Sequence, residues 1–334
     1  MSNYTVPLID ISKYESDDLS ERAIVIENVS KACREIGFII VTGTQVSAEV
    51  EATTVRECQR FFDLPLADKL AVSRPDPSHI RGYSGVGTEA LSQLEKNRAA
   101  PDLKEVFDVG PFDLPVHNDY YSSTKAGASF APNVWPEKLP SLKPAMSAYF
   151  LSMEDLSKKM ARIFAAALDL PDDYFIPKID RHISILRANF YARQLEPPLP
   201  NQLRGGRHTD YTAFTILWQQ EVPGGGLQIR EKRGEWIDVP VIPGSFVVNI
   251  GDSLARWTND LWVSTLHRVV NPPPEIAHQT DRLSLVYFFQ PNYDAIIECI
   301  ETCQGPDNPA KYAPIANGHF LAEKFAQQQI GGKQ

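Results

Sequence analysis

The feature that most constrains the fold is a series of short strand-like segments between residues 207 and 288, separated by turns rich in glycine and proline. The segment YTAFTILW follows His208-Thr209-Asp210, the segment SFVVNI follows Pro243-Gly244, and the last segment begins at Arg282. These segments are rich in β-branched and aromatic residues and are too short for ordinary helices. The pattern predicts a barrel or jelly roll with a site at its mouth.

The last segment alternates between two kinds of residue. One predicted strand face carries the polar residues of the segment and is formed by Arg282, Ser284, Val286 and Phe288. The opposite face is apolar or aromatic and is formed by Leu283, Leu285 and Tyr287. Because alternate residues of a strand point to the same side, the first face is expected to line the site.

Three residues are candidate metal ligands. His208 and Asp210 are two positions apart at the predicted start of a strand, so both can face one bound ion. His267 follows in the same region. Two imidazoles and one carboxylate can hold iron(II) on one face and leave other coordination positions open for reactants. A His-X-Asp pair alone is a weak signal, and the surrounding strand pattern gives it weight.

Arg282 and Ser284 form a candidate clamp for a carboxylate. A guanidinium binds a carboxylate through two parallel hydrogen bonds, which a lysine cannot do. Ser284 lies on the same predicted face and can add a hydroxyl donor. The alternative is an interior arginine that is paired with an aspartate.

Six motifs occur in a fixed order along this region: His208-Thr209-Asp210, Gly225-Gly226-Leu227-Gln228, Gly234-Glu235-Trp236, Asn249-Ile250-Gly251-Asp252, His267-Arg268-Val269-Val270-Asn271 and Arg282-Leu283-Ser284. Together they resemble the iron(II)/2-oxoglutarate-dependent dioxygenase superfamily, in the branch that contains isopenicillin N synthase and the plant flavonoid and gibberellin oxidases. The resemblance implies an α+β fold with a mainly β core. That core would be a double-stranded β-helix (jelly roll) with flanking helices, one of them long and packed against the barrel.

The resemblance also implies an activity and its cofactors. Iron(II) would be held by His208, Asp210 and His267, with ascorbate as the candidate reductant. The co-substrate 2-oxoglutarate would be held by residues on two strands, namely Arg282, Ser284, Asn189 and Tyr191. The implied reaction consumes dioxygen, releases succinate and CO2, and hydroxylates, desaturates or cyclises a small-molecule metabolite, as in secondary metabolism.

Candidate substrate residues come from two places. Related enzymes use the loop-rich region, here residues 72–132, as one wall of the substrate pocket, so Arg81 and Tyr83 are candidates to bind a substrate anion or hydroxyl. Phe288 shares the predicted face of Arg282 and is a candidate to pack against the substrate. The alternative for the first two is that Arg81 forms a structural ion pair and Gly82-Tyr83 a packed turn.

Three other functions are compatible with these residues. The first is an oxidase of the isopenicillin N synthase type, which uses dioxygen without 2-oxoglutarate. The second is a hydrolase that holds zinc in the same three ligands. The third is a non-catalytic protein that binds a metal or ligand on the same fold.

The resemblance covers nearly the whole chain and suggests four segments of one compact unit. These are an N-terminal region (1–125), a helical segment (126–180), the jelly-roll core (181–295) and a C-terminal tail (296–334). Helical spacing and end signals predict helices at Asp17–Ile36, Ala48–Phe62, Pro144–Leu168 and His319–Gln328.

Composition excludes several classes of partner. A net charge of −9 argues against nucleic acid and anionic membrane surfaces, which need basic residues. The sequence has no apolar run long enough to span a membrane and no evident signal peptide. Its four cysteines are expected to be reduced thiols, and we predict a cytoplasmic monomer or weak homo-oligomer. The histidines expected to lie outside the metal site are His79, His117, His182, His278 and His319.

Overall fold

The computed structural model describes residues 6–76, 79–90, 100–115, 118–224 and 226–331. His117 and Gly225, which the sequence analysis singled out, lie outside these ranges. Within the ranges, every helix is too short or too polar to span a membrane.

The predicted jelly roll is confirmed. The described residues form an eight-stranded sheet with the order β1-β2-β10-β7-β12-β5-β4-β3 and a four-stranded sheet with the order β6-β11-β8-β9, and β13 pairs with β14. The strands are β1 Leu8–Asp10, β2 Phe38–Thr42, β3 Gly82–Ser84, β4 Glu105–Val109, β5 Ile185–Tyr191, β6 Gly205–His208, β7 Phe214–Gln219, β8 Leu227–Arg230, β9 Trp236–Asp238, β10 Phe246–Ile250, β11 His267–Val269, β12 Arg282–Phe289, β13 Ile296–Ile297 and β14 Ile315–Ala316.

Helices flank the sheets close to the predicted positions. They are α1 Leu19–Glu35, α2 Ala48–Phe62, α3 Leu66–Leu70, α4 Asp119–Ser122, α5 Leu142–Ala167, α6 Asp252–Trp257, α7 Pro274–Ala277 and α8 Asn317–Gly331. The long helix α5 starts two residues earlier than predicted and has Pro144 in its first turn. Proline is tolerated there because the first-turn N–H groups have no intrahelical partner.

The ends of α1 show how local sequence sets a boundary. The Asp18 carboxylate accepts a hydrogen bond from the Ser20 backbone N–H at 2.8 Å and caps the first turn. Gly37 follows the other end with φ of +65°, and a Cβ there would clash with the Val263 carbonyl oxygen. Only glycine fits both the backbone angle and the close approach.

The core lies between α5 and the outer face of the large sheet. Phe150 of α5 contacts Tyr287 of β12 edge-on, with ring centroids 5.1 Å apart, and Phe164 contacts Phe214 of β7 at 5.3 Å. As the alternation predicted, Leu283, Leu285 and Tyr287 belong to this core. The inner face of β12 is therefore outside this core and lines a cavity.

This core continues through all four predicted segments. One cluster of buried apolar side chains contains Ile9, Met153, Leu285 and Phe320, one from each segment. Burial of such a shared surface couples the segments energetically, because exposing any one of them would expose apolar area in the others.

Phe164→Ala should lower the free energy of unfolding by about 3–5 kcal/mol, because it removes a buried ring and leaves a cavity. Phe164 also touches Trp262, with ring centroids 5.2 Å apart. Urea unfolding followed by circular dichroism measures the change. Leu151→Ala in the same helix is the control, because Leu151 is exposed, and it should change stability by less than about 0.5 kcal/mol. Equal effects of the two substitutions would contradict this account of the core.

Candidate metal centre and adjoining cavity

The three candidate ligands converge at one end of the small sheet. His267 of β11 and His208 of β6 are paired in register, and their ring centroids are 4.2 Å apart. Asp210 lies two residues beyond the end of β6. One ligand atom from each of the three side chains lies within 4.8 Å of the other two. In the described part of the chain, this is the one such group of three.

Backbone carbonyls orient both imidazoles. The His208 Nδ1 lies 2.8 Å from the Gly206 carbonyl oxygen, and the His267 Nδ1 lies 3.0 Å from that of Thr265. If each Nδ1–H donates to its carbonyl, each Nε2 carries a free lone pair. Both Nε2 atoms lie 3.7 Å from the same Asp210 oxygen, Oδ1, so the lone pairs can face a shared ion.

Two side chains of the large sheet hold the Asp210 carboxylate. Its Oδ2 accepts hydrogen bonds from the Thr215 hydroxyl at 2.6 Å and from the Asn249 amide at 2.7 Å. The other oxygen, Oδ1, faces the two imidazoles. Hydrogen bonds of this kind orient a carboxylate ligand and raise metal affinity. The sequence analysis missed Thr215 and placed Asn249 in a motif without assigning it a role.

The protonation states suit a metal. Burial, together with the neighbouring His267, lowers the pKa of His208 to about 3, so this imidazole is neutral at pH 7. Burial opposes the ionisation of Asp210, but the two imidazoles and the hydrogen bonds from Asn249 and Thr215 hold its pKa below the usual range. Two imidazoles with a carboxylate are the donor set that non-haem iron(II) prefers, so these residues fit that ion.

The prediction that His-X-Asp opens a strand is wrong. His208 ends β6, and the next strand begins only at Phe214. The reason is that backbone carbonyls after His208 accept hydrogen bonds from N–H groups in the first turn of α6. The Asp210 carbonyl accepts from the Asp252 N–H at 2.7 Å, and the Thr212 carbonyl accepts from the Ser253 N–H at 3.1 Å. An irregular segment, not an extended strand, thus brings the carboxylate towards the imidazoles.

The candidate clamp residues lie on adjacent strands and line one cavity with the metal candidates. Arg282 is paired in register with Tyr191, and Ser284 with Asn189. The Arg282 guanidinium carbon is 5.2 Å from the Tyr191 ring centroid, and the Asn189 amide nitrogen is 3.5 Å from the Ser284 hydroxyl oxygen. All four side chains line a cavity of about 670 Å³ that also exposes His208, Asp210 and His267.

The Arg282 guanidinium is buried and incompletely bonded. It is 1% exposed, and its Nη2 donates to the Gln219 side-chain oxygen at 3.0 Å. Its Nη1 has no hydrogen-bond partner among the described residues, and no carboxylate there forms an ion pair with it. Burial lowers its pKa from the ordinary arginine value. The interior pairing with an aspartate is therefore not observed, and a carboxylate that enters the cavity would complete the site.

The structure corrects two candidate substrate residues. The Arg81 guanidinium is buried and donates to the carbonyl oxygens of Ile80 and Ser129, both at 2.6 Å. The Tyr83 hydroxyl is buried against Glu105 and donates to its carboxylate at 2.6 Å. Neither side chain lines the cavity, so both have a structural role. For Arg81 that role is to bind backbone carbonyls and not the ion pair considered above. Phe288 does line the cavity.

Sequence reasoning missed a network of charges on the cavity wall. Arg187 of β5 bonds both Asp108 oxygens, at 2.6 and 3.0 Å, and a Glu89 oxygen at 2.9 Å. Arg74 bonds the same two acids, at 3.0 Å to Glu89 and 2.9 Å to Asp108. Lys104 lies 3.3 Å from Glu89. The alternation of β5 places Arg187 on the same strand face as Asn189 and Tyr191. This alternation is the one sequence signal that indicates a position of Arg187 on the cavity wall.

Comparisons with known proteins agree with this site. Residues 6–138 match the family model described as the N-terminal domain of the non-haem dioxygenase in morphine synthesis, and residues 182–291 match that of the 2OG-Fe(II) oxygenase superfamily. A 2-oxoglutarate-Fe(II) type oxidoreductase of Aspergillus fumigatus is 32% identical over 95% of this chain and 91% of its own. A homoarginine-6-hydroxylase of Arabidopsis thaliana is 33% identical over 90% of this chain and 89% of its own.

A solved structure is similar over the same length. The crystal structure of a full-length Neurospora crassa protein in complex with α-ketoglutarate (2-oxoglutarate) and thymine superposes with a TM-score of 0.81 at 32% identity, covering 96% of each chain. The chain therefore belongs to the 2OG-Fe(II) oxygenase superfamily and is an enzyme that oxidises a small molecule with 2-oxoglutarate, dioxygen and iron(II).

Proposed function

We propose that His208, Asp210 and His267 bind the iron(II), and that Arg282 and Ser284 bind 2-oxoglutarate with Asn189 and Tyr191 beside them. The observation that carries this proposal is the buried Nη1 of Arg282, which lacks a partner among the described residues in the cavity that also contains the three-ligand group. An unpaired buried donor costs free energy, and the distal carboxylate of 2-oxoglutarate would supply its acceptor.

The proposed iron ligands lie at one end of the cavity, and the proposed 2-oxoglutarate residues lie at the other end. At one end, the carbonyls of Gly206 and Thr265 keep both imidazole rings turned so that Nε2 faces inward. At the other end, the Gln219 side chain holds the Arg282 guanidinium in place for a bidentate contact. Iron(II), when bound, supplies activation of dioxygen coupled to the decarboxylation of 2-oxoglutarate. Among the described residues, the one acid that lines the cavity outside the proposed metal site is Glu89, and its carboxylate is paired with Arg187 and Arg74.

The relatives support a small polar substrate and favour hydroxylation as the outcome. One relative is named a homoarginine-6-hydroxylase, and the similar Neurospora crassa protein was crystallised with thymine. We propose that the substrate of this enzyme binds between the iron ligands and Phe288, on the side of the cavity where Arg187 and Glu89 lie.

The organisation of the chain is proposed on the same basis. The segments 1–125, 126–180, 181–295 and 296–334 are proposed to act as one unit, which the shared hydrophobic core supports. A cytoplasmic location and a monomeric or weakly associated state stay predictions.

The direct test is a titration of the anaerobic iron(II) protein with 2-oxoglutarate. We expect a visible metal-to-ligand charge-transfer band, and succinate formation after oxygen is admitted. If the band is absent and the protein consumes oxygen without 2-oxoglutarate, this assignment of the cavity is wrong and the oxidase alternative replaces it.

Arg282→Lys should raise the KM for 2-oxoglutarate roughly ten- to a hundred-fold, because the ammonium cannot form the second parallel hydrogen bond. Metal affinity should stay unchanged. Arg22→Lys is the control, since Arg22 forms a partly exposed ion pair with Asp172 at 2.8 Å outside the cavity. An unchanged KM in Arg282→Lys would contradict the clamp.

Thr215→Val should weaken iron(II) binding about ten-fold, because it removes the hydrogen bond that orients Asp210 while keeping the shape of the side chain. Anaerobic titration with the metal measures the affinity. The matched control is Thr54→Val, which removes another buried hydroxyl, bonded to the Ala145 carbonyl at 3.0 Å. If both variants bind iron as tightly as the wild type, Thr215 does not position the carboxylate.

His267→Ala should abolish 2-oxoglutarate turnover without unfolding the protein, because it removes one ligand at the edge of a cavity and leaves the main core intact. Circular dichroism and oxygen uptake are measured together. His278→Ala is the control because His278 is exposed. A folded His267→Ala variant with wild-type turnover would refute the ligand assignment.

A further inference from the structure

The cavity extends past Phe288 to Gln290, the residue that follows the end of β12. Gln290 lies two residues beyond Phe288, lines the cavity and is 6% exposed. Its backbone N–H bonds the Ser184 hydroxyl at 3.1 Å. Its side-chain oxygen Oε1 is buried and has no hydrogen-bond partner among the described residues. A carboxamide forms hydrogen bonds both as a donor and as an acceptor. The unpaired Oε1 would therefore be stabilised by a hydrogen-bond donor on a bound ligand.

The charged side chains that line the cavity outside the proposed cofactor site are already paired. Arg187 and Arg74 each bond Glu89 and Asp108, and Lys104 lies 3.3 Å from Glu89 and 3.5 Å from Asp102. Burial opposes the ionisation of Glu89, but Arg187, Lys104 and Arg74 hold the pKa of its carboxyl well below the usual range. A charged substrate would have to be desolvated against ion pairs that are already complete, which is unfavourable.

The hydrogen-bonding capacity left on this wall is therefore mainly neutral. Besides the Gln290 carboxamide, the Nε of Arg74 is buried without a partner in the described chain, and Arg74 also lines the cavity. Both residues line the same cavity, and the guanidinium charge of Arg74 is balanced by its two acids.

Aromatic rings line the same cavity as Gln290. Phe288 is only partly buried on a strand whose other residues are buried. Tyr211 and Phe325 also line the cavity, and their rings meet edge-on with centroids 6.0 Å apart. Aromatic rings stack or meet edge-on with other flat rings, so these side chains suit a ring-shaped ligand.

We propose that the substrate is a neutral, planar ring with an adjacent carbonyl and N–H (a lactam edge), and that Gln290 binds this edge through its carboxamide while Phe288 packs against the ring. The inference deepens the proposed function and rests on it. Gln290 is thus a specificity-determining residue, and neutral lactams should be preferred over zwitterionic amino acids.

The test starts from the anaerobic iron(II)·2-oxoglutarate protein, so that the two proposals can fail separately. Thymine, uracil and hypoxanthine are the lactam probes, and L-proline and L-arginine are the charged probes. Each is titrated while the charge-transfer band is followed, with calorimetry as a second readout. We expect at least one lactam to shift the band at a concentration about ten-fold or more below that needed by either amino acid. A normal band that no lactam perturbs overturns this inference alone, whereas a missing band refutes the proposed function.

Two variants then test whether Gln290 recognises the lactam. Gln290→Leu removes the carboxamide, and Gln290→Glu keeps the shape but replaces the N–H donor with a charge. Both should weaken binding of the responsive lactam at least about ten-fold, the expected effect of one buried hydrogen bond, while the charge-transfer band of bound 2-oxoglutarate is unchanged. Gln279→Leu, at an exposed glutamine, should bind the lactam like the wild type. Wild-type affinity in either folded Gln290 variant, or tighter binding of an amino acid than of every lactam, overturns the proposal.

Discussion

The pairing of β12 with β5 on one side and β7 on the other is the constraint on which the site depends. This register places Arg282 opposite Tyr191 and Ser284 opposite both Asn189 and Gln219. A slip of one residue would turn these polar side chains into the core and the leucines into the cavity. The contacts of α5 with Tyr287 prevent that slip, because burial of the outer face specifies the register. Core packing thus orients the residues proposed to bind 2-oxoglutarate.

The Asp210 carboxylate is the second essential contact, since it joins an irregular segment beside the small sheet to two strands of the large sheet. Thr215 and Asn249 are neighbours in register on β7 and β10, so their donors reach the same oxygen. The ligand geometry therefore depends on the relative position of both sheets. Fully satisfied buried polar networks of this kind are rigid, which suits a site that has to hold three ligand atoms in place.

Periodicity made the inner face of β12 predictable, because the side chains of a strand alternate whatever their distant neighbours are. The same rule places Arg187 on the face of β5 that carries Asn189 and Tyr191. It failed at Asp210, where hydrogen bonds from α6 hold the chain in an irregular segment. It also could not show that Arg81 binds the carbonyls of a loop some fifty residues away in the chain, at Ser129 and Ala131.

The sequence by itself predicted a barrel or jelly roll, the His208–Asp210 pair and the polar face that carries Arg282, because each follows from residue type and short-range spacing. The assignment of His267, which is distant in the chain, rested on the resemblance to the dioxygenase superfamily. Only the tertiary structure decided which polar groups are left without partners. Glu89, Asp108 and Arg187 come from separate parts of the chain and neutralise one another, whereas Arg282 and Gln290 keep unpaired atoms. Pairing between distant residues depends on their distance in space, which no local pattern encodes.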